Sequence, residues 1–239
     1  MNIIHDDDSV KIFYEKGEGN NTLVSFSGVD FDVFGFDNFK KENIDRPEFV
    51  KVTEGMGDRF WVIDKNRTWG CHIDWEWLTS FLSPRFDGKN VVALGNCMGA
   101  TNAIKFAYYA DVHRVIAFTP HWSVDPDIMF DHTFDKRTQH LVSRANETGW
   151  KSLEGMFRPM TTYIHFWTPD PIDIPFMIKF PVLPNIKVFT LVNSSHSVAR
   201  FIKSQGVLPK VLGQCIVAED PHRAVSEILD SVGLNHELF

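Results

Sequence analysis

The sequence predicts an α/β domain with a mainly parallel central sheet and helices on both faces, and three observations predict it. Short runs rich in β-branched and aromatic residues alternate with segments whose apolar residues recur at helical spacing. The chain has 239 residues, 44% of them hydrophobic, enough for one sizeable core and too few for two comfortable domains. One strand-like run, Val91–Leu94, passes through the tight turn Gly95-Asn96-Cys97-Met98-Gly99 directly into a small-residue helical segment.

In chain order, Val10–Tyr14 and Thr22–Phe26 bracket the turn-rich Gly17-Glu18-Gly19-Asn20-Asn21 and predict an early hairpin. Asp6-Asp7-Asp8 reads as a solvated turn. Arg59–Asp64 reads as a strand, Trp75–Leu82 as a helix, and Val91–Leu94 as the strand before the turn. Thr101–Ala110 continues as the helix, and His113–Phe118 is the next strand. Residues 121–160 then break the rhythm with a polar stretch of scattered aromatics, too long for a plain connection, which predicts a small helical cap. Thr162–Trp167 and Ile186–Val192 restore the strand pattern, and helices at Val198–Gln205 and Pro221–Val232 close the chain. The whole of 1–239 reads as a single domain with 121–160 inserted in it.

Composition narrows the function. A net charge of −7 and a pI near 5.8, without a Lys/Arg cluster, argue against a nucleic-acid surface. Three scattered cysteines, Cys71, Cys97 and Cys215, make no disulfide framework and suit a reducing compartment. The opening MNIIHDDDSV lacks a basic and apolar leader, and no apolar run is long enough to span a membrane, so the expectation is a soluble cytoplasmic protein without membrane partners.

The strand–turn–helix at 91–107, with one nucleophilic side chain at its apex, resembles the nucleophile elbow of the α/β-hydrolases, with cysteine where serine is commoner. Glycines flank the apex because a β-carbon at 95 or 99 would strike the neighbouring strand or helix. The following helix directs its N-terminus at Cys97, which favours a thiolate and offers backbone N–H groups to an oxyanion. A dinucleotide-binding loop is the competing reading, but Asn96-Cys97-Met98 breaks G-x-G-x-x-G and no acid ends the strand at 115–118. A buried, inert cysteine is the plain structural alternative.

Three further pieces follow in the hydrolase order. Asp170-Pro-Ile-Asp-Ile-Pro, after the strand at 162–167, resembles the D-P-I-V-P loop that carries the triad acid. His196, after the strand at 186–192, resembles the catalytic histidine. Ser27-Gly28-Val29 resembles the H-G-x loop that supplies a second oxyanion N–H. The likeness runs from about residue 9 to about residue 232, and the cysteine makes it similar to the dienelactone hydrolases. It implies Cys97 as nucleophile, His196 as base, Asp170 as the acid that orients it, and the amides of Met98 and Val29 as oxyanion donors. Asp173 competes for the acid's place; Asp170 lies nearer the strand end and is preferred.

His121, Trp122 and Trp167 are candidate substrate contacts, and Phe31, Phe34, Phe36 and Trp69 are further aromatics expected near the site. His121, Asp125, Asp127, Asp131 and His132 match no established ligand spacing, so no metal is expected. The expected function is a cysteine-dependent hydrolase of esters, thioesters or lactones, needing no cofactor and taking a small acyl substrate, free or linked to a carrier or CoA. An acyltransferase using the same thioester intermediate, and a non-catalytic binding homologue, are the alternatives.

Overall fold

The computed structural model describes residues 1–29, 46–86, 88–125, 127–129 and 139–238. Its strands are β1 (Asn2–Asp6), β2 (Val10–Glu15), β3 (Asn21–Phe26), β4 (Asp58–Asp64), β5 (Asn90–Asn96), β6 (Arg114–Phe118), β7 (Thr162–Trp167), β8 (Ile186–Leu191) and β9 (His236–Leu238). They form one sheet in the order β1-β2-β4-β3-β5-β6-β7-β8-β9. From β4 to β8 every pairing is parallel, and antiparallel strands close both edges.

Helices cover both faces, as alternating side-chain direction in buried strands requires. On one face α1 (Trp75–Leu82) and α2 (Met98–Tyr109) pack Leu78, Leu82, Ile104 and Phe106 on Val24, Phe60, Val62 and Ala93. On the other, α5 (Val198–Ser204), α6 (Leu208–Val217) and α7 (Pro221–Ser231) pack Ile202, Leu212 and Leu229 on Leu23, Leu94, Ile116 and Phe166. Asp74 caps α1 by accepting from the Trp77 amide at 2.9 Å, and Asp220 caps α7 through the Arg223 amide at 3.1 Å.

Two elements differ from expectation. The early hairpin does not form: β4 lies between β2 and β3, and β3 runs parallel to both β4 and β5. The strand before β2 supplies the hairpin instead, with Asp7 Oδ1 accepting the Ser9 and Val10 amides across the turn. The glycine-rich loop at 17–21 carries the chain past β4, close enough that a β-carbon on Gly17 would lie 1.9 Å from the Gly57 carbonyl oxygen. Asp58 holds this crossing, accepting the Gly17 amide at 2.7 Å and pairing with Lys89 at 2.8 Å. The helix α6 falls where the sequence reading places no element; Pro209 sits in its first turn, where its missing N–H costs nothing. Of residues 121–160, expected to form a cap, the described part holds one helix, α3 (Gln139–Asn146), and otherwise turns and irregular chain.

On β7, His165 is wholly buried among Phe157, Tyr163, Trp167 and Phe180, and neither ring nitrogen has a hydrogen-bond partner among the described residues. Burial pushes its pKa down to about 3 from 6.5. The unfolded chain therefore binds this proton more readily, and stability falls as pH drops below 6.5, by ~2 kcal/mol at pH 5. His165→Phe should accordingly raise Tm at pH 5 by about 4–8 °C more than it does at pH 8, measured by calorimetry. Equal shifts at both values would contradict a buried, proton-refusing imidazole.

Candidate active site

Side chains from four loops meet beyond the carboxyl ends of β5, β6, β7 and β8. Cys97 follows β5 as the residue that caps α2, with φ 54° and ψ −120°, a conformation costly for any residue with a β-carbon. Close backbone packing holds it there. A β-carbon on Gly95 would stand 2.1 Å from the Gly99 carbonyl oxygen, and one on Gly99 would stand 2.1 Å from that of Phe26. The Cys97 amide donates to the Phe118 carbonyl at 2.8 Å, tying the turn to β6. Trp69 and Thr119, which border the site, also have positive φ, at 52° and 45°.

His196 follows β8 and donates from Nδ1 to Asp173 Oδ1 at 2.7 Å. Asp173 is fully buried at the start of the short helix α4 (Ile174–Met177), while the His196 side chain keeps about a third of its surface exposed, at 33%. The expected acid, Asp170, is not at the histidine. Its Oδ1 accepts the Ile172 amide at 3.0 Å and its carbonyl accepts the Asp173 amide at 2.9 Å. The proline-flanked loop uses Asp170 to shape its own turn, and one turn further on returns Asp173 beneath the imidazole.

A second imidazole lies at the sulfur. Nε2 of His121 is 3.6 Å from Cys97 Sγ, and the reactive atoms of Cys97, His121 and His196 lie within 4.8 Å of one another. His121 is anchored on both sides of its backbone by Thr101 Oγ1, which accepts from its N–H and donates to its carbonyl, each at 2.9 Å. Its ring stacks on Phe176 at 4.3 Å and on Trp69 at 5.8 Å. Trp69 Nε1, a donor only, points at His121 Nδ1 from 2.9 Å. Nδ1 is therefore the acceptor, and the ring proton sits on Nε2, facing the sulfur. That tautomer leaves Nε2 without a lone pair for an ion, so this donor set does not suit a metal. Of the residues weighed by spacing, Asp125 pairs with Lys151 and caps the Asp127 amide, and Asp131 and His132 lie outside the described residues.

Burial pushes the Cys97 thiol up, but the imidazoles of His121 and His196 outweigh it and hold the thiol well below its ordinary range. Burial likewise pulls His196 down, yet the Cys97 sulfur and the Asp173 hydrogen bond hold it well above the usual imidazole range. Together they describe a thiolate–imidazolium pair. The other two cysteines differ, since burial pushes both the Cys71 and the Cys215 thiols up.

The amide of Met98, first in α2, belongs to the helix turn whose N–H groups have no partner within the helix. The 27–29 loop lies against the elbow, since a β-carbon on Gly28 would come 2.9 Å from the Asn96 carbonyl oxygen, and Val29 is buried beside it. Trp122 packs with Phe157 and Phe180, and Trp167 lies within the apolar cluster of Met129 and Phe176. Phe31, Phe34 and Phe36 lie outside the described residues.

No protein-family profile matches the chain, and no curated protein matches it. Solved structures do match across most of its length. The capsule O-acetyltransferase of Neisseria meningitidis serogroup A superposes with a TM-score of 0.56 at 12% identity, over 86% of this chain and 92% of its own. An α/β-hydrolase from a Medee basin deep-sea metagenome library gives 0.54 at 13% identity, over 87% and 95%. A Staphylococcus aureus protein of unknown function gives 0.58 at 11% identity, over 86% and 93%. The chain has the α/β-hydrolase fold, and at these identities the likeness speaks for the fold alone.

Iodoacetamide should alkylate Cys97 with a rate that is already near its plateau at pH 6.5, where an ordinary thiol is only ~1% ionised. The rate falls only as pH drops through the lowered thiol value. Peptide mapping that finds Cys71 or Cys215 modified as fast at that pH would contradict the ion pair.

Proposed function

We propose that this protein is a cysteine-dependent acyl hydrolase that works through a thioester acyl-enzyme. The observation that carries the reading is the chain Cys97–His196–Asp173, whose members converge from three separate strand ends of an α/β-hydrolase fold. Cys97 sulfur adds to the carbonyl carbon of an ester, thioester or lactone, forming a C–S bond while the carbonyl electrons move to oxygen. The amides of Met98 and Val29 receive that oxyanion. Collapse expels the leaving group, which takes the proton held by His196. Water then gives a proton to His196 and attacks the thioester, and the Cys97 thiolate departs.

His196 is the base in this scheme because its Nδ1–H is satisfied by Asp173, leaving Nε2 to accept a proton. His121 has no free nitrogen to do so while Trp69 donates to it. Asp173, not Asp170, orients the base.

Acyl transfer to an alcohol or amine is the second reading; a capsule O-acetyltransferase shows that this fold can carry such a reaction. A thioester also yields to amines more readily than an oxygen ester does. An acyl substrate linked to a carrier or CoA suits either outcome.

Intact-mass spectrometry after mixing with p-nitrophenyl acetate and a panel of acyl thioesters tests the reading. An acyl adduct should form and clear in the wild type and persist in His196→Ala. Asp173→Asn should lower turnover by roughly 10²- to 10⁴-fold, while Asp170→Asn stays near wild type. Absence of adduct and turnover, with Cys97 inert to alkylation, would instead support a non-catalytic binding protein.

A further inference from the structure

The reading above uses one imidazole, and the site has two. We propose that His121 is a catalytic residue that donates its Nε2–H to the Cys97 thiolate, and that Trp69 is the positioning residue that keeps the proton on that nitrogen. This rests on Cys97 being the nucleophile and deepens that assignment.

The geometry leaves His121 little freedom. Thr101 clamps its backbone, Phe176 stacks on its ring, and the Trp69 indole N–H occupies Nδ1 at 2.9 Å. The remaining N–H faces the sulfur from 3.6 Å. Trp69 is itself fully buried and held in a left-handed backbone conformation at φ 52°, with its carbonyl accepting from the buried Lys105 ammonium on α2. A non-glycine residue keeps such a conformation only where its surroundings over-determine it, as here, where Asp64 accepts the Gly70 amide and Lys105 donates to the Trp69 carbonyl.

A donor that keeps its proton does what His196 cannot. His196 must release and recover its proton in every cycle, so its help to the thiolate comes and goes. His121 cannot lose Nε2–H to the substrate without taking a proton at Nδ1, which Trp69 occupies. Its hydrogen bond therefore stabilises the thiolate both at rest and as it departs from the acyl-enzyme, whatever the state of His196. Among the described residues, the titratable groups facing the sulfur are His121 and His196, with Asp173 behind the latter. Behind Trp69 stand Lys105, with Cys71 3.7 Å from its Nζ, and Asp64, which accepts the Thr68 and Gly70 amides.

The pH profile of Cys97 alkylation by iodoacetamide, read by peptide mapping, tests the proposal in the full-length protein. Trp69→Phe keeps a stacking ring and removes the indole N–H; it should move the midpoint upward by about one unit, a roughly tenfold loss of rate below the midpoint. His121→Phe should do the same, and His121→Gln, whose amide N–H can reach the sulfur, should recover part of the shift. Midpoints in Trp69→Phe and His121→Phe that superimpose on the wild type would overturn the proposal while leaving Cys97 as nucleophile. A wild-type Cys97 that reacts no faster than Cys71 or Cys215 would overturn both. Should the variants fail to fold, long-range ¹H–¹⁵N NMR of the wild-type ring decides: Nε2 protonated and Nδ1 bare supports the dyad, and the reverse overturns it.

Discussion

Backbone held against backbone at the elbow is the constraint on which the rest of the site depends. The β5–α2 turn approaches its own helix and β3 so closely that side chains at 95 and 99 would overlap carbonyl oxygens. That closeness forces Cys97 into a left-handed conformation and lifts its sulfur above the sheet, at the open end of an α-helix. The strain, on the order of 1–3 kcal/mol for a residue in such a region, is offset by the buried helix–sheet contacts that flank it. Gly95→Ala or Gly99→Ala would act on this contact and not on the thiol, which is why the elbow is a property of the fold before it is a property of the chemistry.

From that fixed point the electrostatics follow. A buried thiol is ordinarily harder to ionise, and Cys71 and Cys215 behave so. Cys97 departs from them because two imidazoles face it, one tied to a buried carboxylate and one tied to an indole. The two ties are of opposite kinds. Asp173 accepts a hydrogen bond from His196 Nδ1 and so favours its cationic form, whereas Trp69 donates a hydrogen bond to His121 Nδ1 and so leaves the ring proton on Nε2. Two histidines within 4.8 Å of one sulfur are thereby set apart by what stands behind them.

Much of this was legible in the chain. The glycines around Cys97 and the order of Cys97, the Asp170–Asp173 loop and His196 marked the strand ends where these side chains meet, because short-range sterics and chain order are both written locally. The choice between Asp170 and Asp173 was not legible, since both lie in one proline-flanked loop and only the path of that loop decides which returns to His196. Trp69 and His121 are separated by 52 residues, so their hydrogen bond leaves no local trace; the position of His121 directly after the β6 strand was the one signal available. The misplaced hairpin has the same origin, since a glycine-rich turn suits a reversal and a hop across a neighbouring strand equally well.

The central claim is that acyl groups pass through the Cys97 sulfur. Rapid acid quenching during turnover of an acyl thioester, followed by peptide mapping, tests it most directly. The account predicts one acyl group, on the peptide holding Cys97, released by neutral hydroxylamine as a thioester is. Turnover with the acyl group on a serine or lysine, or with Cys97 unmodified at every quench time, would contradict it.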